Sequence, residues 1–422
     1  MTRRWIFIFL IIVLTAGCGR LKVINDPDEI QLLHENKMRV VEFWHTYSDE
    51  ESRILEEELI PSFERQFPDI KIISERQPFN IGLKNTLIAR AASNRGPDVV
   101  RMKTTWIPEF YQLKLLFSLN QFSDFQNVRS ALNPEVMSAG FHQYHDYSLP
   151  LDMYVQAAIY NRRLLSQAGY SLPPRTMEET LDLARKKRYM IGLGGLNAWK
   201  TLPYIYSLGG SLFDPSFTKA TGYLDGQATV RAVRKLLLLY KEGLIDPMVG
   251  DDGGDNWEGV KSGNVLITGE GPWFYNIWTD TERHRALQFT IPMSFPFDKV
   301  PSPVADGEDL VIMKGSKQPE AAWIFLKWMT GKEAQLKMSK IGLFPTNLEA
   351  ARSMKVNRDS YIYPYREAID HAFLKTSIKN WDKIDEVYTL YMRKIFREEI
   401  SLKIGLTQAA EAIDRLLAEK KG

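Results

Sequence analysis

Short apolar runs alternate with amphipathic stretches in the first hundred residues, and this pattern predicts alternating strands and helices. Val40–Trp44 predicts a buried strand, and Leu55, Leu59 and Phe63 recur at four-residue intervals, which predicts a helix with one apolar face. Residues 69–74 (DIKIIS) predict the next strand. A strand, a helix and a strand at this spacing form a βαβ unit, which implies parallel strands covered by helices.

The alternation of apolar and polar segments continues along the rest of the chain. Ser48 stands three residues before Glu51, and Thr176 three residues before Glu179, which is the spacing of a capping box at a helix start. Further elements follow from the same pattern: a helix over 80–92, a strand over 98–102, helices over 176–188, 228–242 and 319–329, and a largely helical last sixty residues. No repeat or linker divides the chain, which favours two lobes joined by more than one crossing.

The N-terminus has the pattern of an export signal. Two arginines precede the apolar run Trp5–Leu14, whose ten residues are too few to span a bilayer but have the length of a signal-peptide core. The following Thr15-Ala16-Gly17-Cys18 resembles the lipobox of bacterial lipoproteins, in which the cysteine receives a diacylglycerol and the chain is cut before it. We therefore expect a lipoprotein signal peptide over 1–17, a lipid on Cys18 and a polar tether over 18–37. The alternative is an ordinary signal followed by an unrelated cysteine.

Composition narrows the class of protein. Cys18 is the only cysteine, so an exported chain has no internal disulfide and depends on an apolar core, for which its 44% hydrophobic content is sufficient. Loss of residues 1–17 removes two of the 54 basic residues and none of the 52 acidic ones, which leaves the mature chain formally neutral. A nucleic-acid-binding protein would carry a basic excess, and the composition gives no indication of one.

Several segments, in order along the chain, resemble one protein family. The chain is similar to the family 1 extracellular solute-binding proteins of bacterial ABC importers, the maltose-binding-protein-like group. The matching segments are 43–47 (FWHTY), 96–100 (GPDVV) followed by Trp106, 149–151 (LPL), 159–161 (IYN), 173–179 (PPRTMEE), 271–273 (GPW) and 314–326. Residues 264–269 (NVLITG) depart from the family pattern, which has small residues there.

The resemblance implies a fold, a function and partners. The fold class is α/β, a two-lobe periplasmic-binding-protein fold (class II-like) with the ligand cleft between lobes joined by crossing hinge segments. Lobe 1 would comprise 38–150 and 305–352, and lobe 2 would comprise 155–302 and 356–422. The implied protein is a monomer without a cofactor, not an enzyme. It captures a sugar or oligosaccharide by cleft closure and delivers it to the transmembrane permease of an ABC importer. Its place is the outer face of the cytoplasmic membrane, or the periplasm of a host with two membranes.

Sugars present flat C–H faces and a rim of hydroxyls, which suit aromatic rings and carboxylates respectively. Ligands of open α/β sheets lie at the carboxyl ends of strands, and this points to residues that follow the predicted strands. The resemblance adds Trp199 and Trp273, at positions where the family places aromatic residues on the ligand. The predicted ligand-binding residues are Trp44, Thr46, Tyr47, Trp106, Asp152, Tyr154, Trp199, Trp273, Glu308 and Asp309.

Other interpretations stay open at this level. Any of these tryptophans can instead pack in a core, and Asp152 can be a hinge or capping carboxylate. The same fold can bind a polyamine through acids and aromatics, or a phosphate ester through Lys103 and Lys200. A surface carbohydrate-active enzyme would need two carboxylates about 5 to 9 Å apart, and no catalytic motif supports one. The spacing of His142 and His145, and the loop with Asp251, Asp252 and Asp255, are weak metal signals.

Overall fold

The computed structural model describes residues 38–78, 81–245, 259–260, 263, 265–277, 279–296, 304–375, 378 and 380–419. The predicted lipid site at Cys18 and the acidic loop with Asp251, Asp252 and Asp255 lie outside the described residues. Within the described ranges, every helix is too short or too polar to cross a membrane.

Two separate sheets and a short hairpin contain the strands. The strands are β1 (Arg39–His45), β2 (Ile70–Arg76), β3 (Val99–Lys103), β4 (Phe141–His142), β5 (His145–Asp146), β6 (Leu149–Val155), β7 (Ala157–Asn161), β8 (Met190–Gly192), β9 (Val265–Glu270), β10 (Thr290–Met293), β11 (Val304–Ile312), β12 (Phe344–Pro345) and β13 (Phe373–Leu374). The large sheet has the order β12-β6-β11-β3-β1-β2 with β13 beside β11, and the small sheet has the order β10-β7-β9-β8.

Helices cover both sheets. Their bounds are Asp49–Ile54, a π-helical turn Leu55–Leu59, Ile60–Gln66, Ile81–Ala92, Ile107–Gln112, Phe125–Ser130, Pro134–Met137, Arg162–Gln167, Met177–Lys187, Ala198–Ser207, Gln227–Lys241, Trp273–Asn276, Asp280–Phe289, Pro319–Met329, Lys332–Ser339, Leu348–Ser353, Tyr363–Ile369, Trp381–Phe396 and Leu402–Ala418. Short 3₁₀ turns lie at Thr104–Trp106, Leu119–Gln121 and Ser138–Gly140.

The predicted βαβ unit is present, because β1 pairs in parallel with both β2 and β3. The helical stretch between β1 and β2 begins at the Ser48–Glu51 capping box, and its apolar residues recur every four positions rather than every 3.6. The wide π-helical turn Leu55–Leu59 accommodates that longer spacing and keeps Leu55, Leu59 and Phe63 buried on one side. The sheet as a whole is mixed, since β11 runs antiparallel to β3 and β6.

We use lobe 1 for the elements on the large sheet and lobe 2 for those on the small sheet. The strand order requires the chain to pass between the sheets after Val155 and again before Val304. The last two helices pack in the core of lobe 2, so the chain passes between the lobes once more after Leu374. The predicted two-lobe α/β architecture is therefore confirmed, while the residue limits given above for each lobe stay a prediction.

The lobes meet in a buried contact beside the connections. Asn276 of lobe 2 donates a hydrogen bond to the Ile341 carbonyl of lobe 1 (2.7 Å) and accepts one from the Tyr361 hydroxyl (3.1 Å). Next to it, Gly342 packs directly on Pro272 and has a φ of +92°. This backbone region is costly for any residue with a Cβ, and a Cβ at this position would lie 2.6 Å from Pro272 Cγ.

Gly342→Ala is expected to destabilise the protein more than Gly169→Ala. Gly169 has a φ of +90° with nothing within 4 Å of an added Cβ, so its variant carries only the backbone strain, about 1 kcal/mol. Gly342→Ala adds the overlap with Pro272, and we expect at least about 1 kcal/mol more in urea unfolding. Equal losses in the two variants would contradict a tight contact between the lobes at Gly342.

Candidate functional site

A buried arginine forms ion pairs between neighbouring strands of the large sheet. Arg101 lies on β3 and is only 3% exposed. Its Nη2 atom is 3.1 Å from Asp152 Oδ2 on β6, and its Nη1 atom forms an ion pair with Glu308 on β11. One guanidinium therefore links three strands of the large sheet, just before β6 leaves for lobe 2.

The residues that follow β1 join the same network. Arg101 Nη1 donates to Thr46 Oγ1 (3.0 Å), and the Thr46 hydroxyl donates to Glu308 Oε1 (3.2 Å). The guanidinium carbon of Arg101 lies 4.1 Å from the centre of the buried Tyr47 ring, a cation–π contact. Thr46 is half-buried, whereas Tyr47 packs in the core of lobe 1.

Burial dominates the electrostatics of these carboxylates. It raises the pKa of Asp152 and of Glu308, and the Arg101 guanidinium offsets the rise only in part because it faces both groups. Asp309, the next residue on β11, is fully buried and accepts hydrogen bonds from the Ser148 and Thr104 hydroxyls. Burial raises the pKa of Asp309 to about 7.

Three aromatic side chains come together where the lobes adjoin. The rings of Trp199 and Trp273, both of lobe 2, stack with centres 6.0 Å apart and planes 30° apart. Tyr154 of β6 meets both edge-on, at 5.9 Å and 5.2 Å. Both tryptophans are half-buried. The chain thus brings three of its predicted ligand-binding residues into one group, which we call the aromatic trio.

Ion pairs surround the aromatic trio. Lys375, which follows β13, is 7% exposed, pairs with Asp306 of β11, and places its ammonium 5.1 Å from the centre of the Trp199 ring. On the lobe 2 side, Lys200 Nζ lies 2.7 Å from Glu270 Oε1, and Trp273 Nε1 donates to Glu270 Oε2 (3.2 Å). The aromatic surface is therefore bordered by charged groups that neutralise each other.

Trp44 and Trp106 lie apart from the trio. Both are buried with Met102, Ile107 and other apolar residues on one face of the large sheet. Strand alternation directs Phe43 to the opposite face, and helices cover both faces, so Trp44 is buried as well. Both tryptophans therefore pack in the core of lobe 1, in agreement with the alternative interpretation. Neither belongs to the candidate ligand site.

His142 and His145 face each other across the β4–β5 hairpin. Among the residues that the structure describes, no group of three or more potential metal ligands lies close enough to hold an ion.

Comparison with known proteins identifies the family. The sequence profile of the bacterial extracellular solute-binding proteins matches residues 58–362, more than half of the chain. The chain belongs to this family. A maltotriose-binding protein of Pyrococcus abyssi (strain GE5 / Orsay) is 24% identical over 348 residues, which are 79% of this chain and 72% of that protein.

Solved structures share the fold of this solute-binding protein. The GacH receptor of Streptomyces glaucescens GLA.O, determined unliganded and with acarbose, superposes with a TM-score of 0.76 at 23% identity, over 91% of this chain and 100% of that one. A solute-binding protein of an ABC transporter from Thermotoga lettingae TMO, bound to α-D-tagatose, gives a TM-score of 0.73 at 20% identity, over 90% and 100%. The family consists of binding proteins, and its match confirms the expectation that the chain is not an enzyme.

Sequence reasoning missed part of the site of this solute-binding protein. Glu270 is the one charged residue of the apolar strand β9, and Arg101 stands in the middle of β3 between apolar neighbours. A charged side chain at such a position is a signal that could have found both. Lys375 offers no such signal, because its partner Asp306 is distant in sequence and its neighbour Trp199 belongs to the other lobe.

The free energy of unfolding is expected to fall as the pH rises from about 4 to 7. Between the ordinary pKa of an aspartate, about 4, and its folded value of about 7, Asp309 holds a proton that the unfolded chain has lost. Deprotonation of this buried group on the way to neutral pH therefore removes stability, on the order of 3 kcal/mol.

Asp309→Asn keeps an acceptor oxygen for one of the two hydroxyls, presents an amide N–H to the other, and does not titrate. The slope of stability against pH is therefore expected to be smaller in this variant. Urea unfolding at pH 5, 6, 7 and 8 measures it, with the exposed Asp182→Asn as the control that keeps the wild-type slope. An unchanged slope in Asp309→Asn would rule out titration of this carboxyl in the folded protein.

Proposed function

We propose that this protein captures a neutral sugar or oligosaccharide between its lobes and delivers it to the transmembrane permease subunits of an ABC importer. The observation that carries the proposal is the aromatic trio between the two sheets, in which Trp199 and Trp273 are half-buried and the buried Tyr154 packs edge-on against both. The C–H faces of sugar rings stack on such surfaces, and their hydroxyls hydrogen-bond to polar groups around the edge.

Polar groups of the required kind border the trio. Glu270 and Asp306 supply carboxylate oxygens, and Lys200 and Lys375 supply ammonium donors, each already oriented by its ion pair. Thr46 adds a half-buried hydroxyl at the end of β1. We assign the ligand contacts to Thr46 and the trio. Tyr47, Asp152, Glu308 and Asp309 support this surface from behind, through Arg101 and the strand ends.

Charge pairing favours a neutral ligand over the charged alternatives. Lys375 pairs with Asp306, Lys200 pairs with Glu270, and Arg101 is shared between its two carboxylates. A phosphate ester would need cations that are not paired with a carboxylate. A polyamine would need carboxylates that are not paired with a cation. Either ligand would have to break a buried ion pair, which costs several kcal/mol when one partner is left behind.

The position of the trio also supports closure around the ligand. Thr46 and Tyr154 belong to lobe 1 and both tryptophans belong to lobe 2, so a ligand that lies on the trio and reaches Thr46 contacts both lobes. Contacts to both lobes favour the closed conformation over the open one, and a permease can distinguish the two conformations. The sugar-binding names of the relatives support the same ligand class.

The family is extracellular, and we propose that this member stays at the cell surface through a lipid on Cys18 and acts there as a monomer. Removal of residues 1–17 would leave Cys18 as the first residue, with its sulfur acylated. The protein would then work on the outer face of the cytoplasmic membrane, or in the periplasm where the host has two membranes.

A ligand screen tests the proposed function. The mature chain from Gly19 onward, without lipid, is heated in the presence of neutral mono- and oligosaccharides, polyamines and glycerol phosphates, while its tryptophan fluorescence is recorded. A ligand at 100 times its dissociation constant adds about 2.7 kcal/mol of stability. A saturable response to a neutral saccharide is expected, and a response to polyamines or phosphate esters alone would overturn the sugar assignment.

Trp273→Ala is expected to weaken saccharide binding at least about tenfold, which corresponds to roughly 1.4 kcal/mol of lost stacking. The matched control is Trp328→Ala in lobe 1, whose ring packs on Phe63 and whose Nε1 donates to Gln66 (2.9 Å). Calorimetric titration of both variants measures the dissociation constants. Comparable losses in the two variants would show that the effect is general destabilisation rather than ligand contact.

Cys18→Ser is expected to abolish lipid attachment and release the protein from the membrane fraction. Growth with a labelled fatty acid, followed by fractionation, reports both outcomes. The serine variant should lack the label and appear in the soluble exported fraction. Retention of the variant in the membrane would contradict anchoring through this cysteine.

A further inference from the structure

Two helices lie side by side on the surface of lobe 2. Met177–Lys187 and Gln227–Lys241 both bury apolar residues in the lobe 2 core. Lys235 Nζ is 2.5 Å from Glu178 Oε1, and Arg185 Nη2 is 2.5 Å from Glu242 Oε1. Both pairs span 57 residues of sequence, so the helices run parallel and present one continuous outer surface.

This surface carries cations that carboxylates do not neutralise. Residues 175–188 and 227–242 together contain nine basic and four acidic side chains, a surplus of five positive charges in a mature chain that is neutral overall. Lys186, Lys187, Arg188, Arg231 and Arg234 are all exposed, and no carboxylate of the described residues forms an ion pair with any of them. The Arg188 guanidinium donates to the Glu242 carbonyl (3.0 Å), which carries no net charge.

An apolar side chain lies among these cations. Leu238 is 46% exposed and stands four residues after Arg234 and three before Lys241, so the three share one side of their helix. Clustered lysines and arginines attract anionic headgroups, and an exposed leucine among them can enter the interface between headgroups and acyl chains. We call Lys186, Lys187, Arg188, Arg231, Arg234 and Leu238 the basic face.

We propose that the basic face binds the anionic phospholipid headgroups of the membrane to which this protein is anchored. The inference rests on the lipid anchor of the proposed function. Nineteen residues lie between Cys18 and Met38, so this segment can reach at most about 70 Å, and the folded lobes stay close to the headgroups. A tether of this length produces an effective concentration near the millimolar range, at which a weak surface attraction is sufficient.

The attraction expected between the basic face and an anionic membrane is strong enough for a tethered protein. Each cation close to an anionic membrane strengthens binding about fivefold, and the attraction fades within a Debye length of about 8 to 10 Å at physiological salt. The cations beside the aromatic trio are not available to headgroups, because Lys200, Lys375 and Arg101 are each paired with a buried carboxylate. Membrane contact through the basic face therefore leaves the solute site free.

Vesicle flotation tests the proposal with the mature chain from Gly19 onward, without lipid. Vesicles of phosphatidylcholine alone are compared with vesicles that contain about 30% phosphatidylglycerol, at about 0.02 M and about 0.3 M salt. The protein is expected to float with the anionic vesicles at low salt, to lose at least about tenfold in partitioning at high salt, and to ignore the neutral vesicles. Equal binding to neutral vesicles, or none to anionic ones at low salt, would overturn the proposal.

Matched charge reversals locate the contact. Arg231→Glu with Arg234→Glu is expected to reduce partitioning at least about tenfold. Lys314→Glu with Lys317→Glu changes the net charge equally on exposed residues of lobe 1 and should retain most of the binding. Equal losses would mean that net charge alone acts, and binding to soluble polyphosphate but not to vesicles would assign the cations to a free polyanion. Either result contradicts the proposal.

Different experiments test the proposed function and the membrane contact of the basic face. Fatty-acid labelling at Cys18 tests the anchor, and calorimetric titration tests the saccharide site in both double variants, which should bind their ligand as the wild type does. A chain that floats with anionic vesicles but carries no label at Cys18 would retain the basic face and lose the anchor.

Discussion

The ion pairs of Arg101 with Asp152 and Glu308 hold the end of lobe 1 that adjoins lobe 2 in one arrangement. A guanidinium that is 3% exposed would be costly without partners, so β3, β6 and β11 must keep the register that supplies them. Thr46 and Tyr47 are positioned by the same guanidinium, and Tyr154 follows Asp152 two residues later on β6. The buried charge network therefore helps to fix the position of Tyr154, the member of the aromatic trio that belongs to lobe 1.

Charge is arranged differently in the cleft and on the outer surface of lobe 2. Around the trio, each lysine that borders the rings is paired with a carboxylate, which leaves polar but neutral surroundings for a ligand. On the helices Met177–Lys187 and Gln227–Lys241 and at the adjoining Arg188, five cations form no ion pair with a carboxylate of the described residues. The first arrangement suits an uncharged solute that must be released again, and the second suits an extended anionic surface.

Local sequence signals predicted the elements better than the site. The capping boxes at Ser48 and Thr176, and the proline and glycine limits of Pro319–Met329, act within a few residues, so the sequence reveals them. Whether a tryptophan faces a cleft depends on which sheet face the rest of the chain covers. Trp44 lies under the helices of lobe 1, whereas Trp273 adjoins the other lobe. Lys375 and Asp306 are far apart in the sequence and meet only in the folded chain, so no local sequence pattern predicts their ion pair.

A crystal structure of the mature chain with the saccharide that most stabilises it tests the central claim most directly. The account predicts a sugar ring stacked on Trp199 or Trp273, hydroxyls bonded to the polar groups beside the rings, and the pairs Lys375–Asp306 and Lys200–Glu270 intact. A saccharide bound away from the trio, or a ligand whose charge replaces one partner of these pairs, would contradict it.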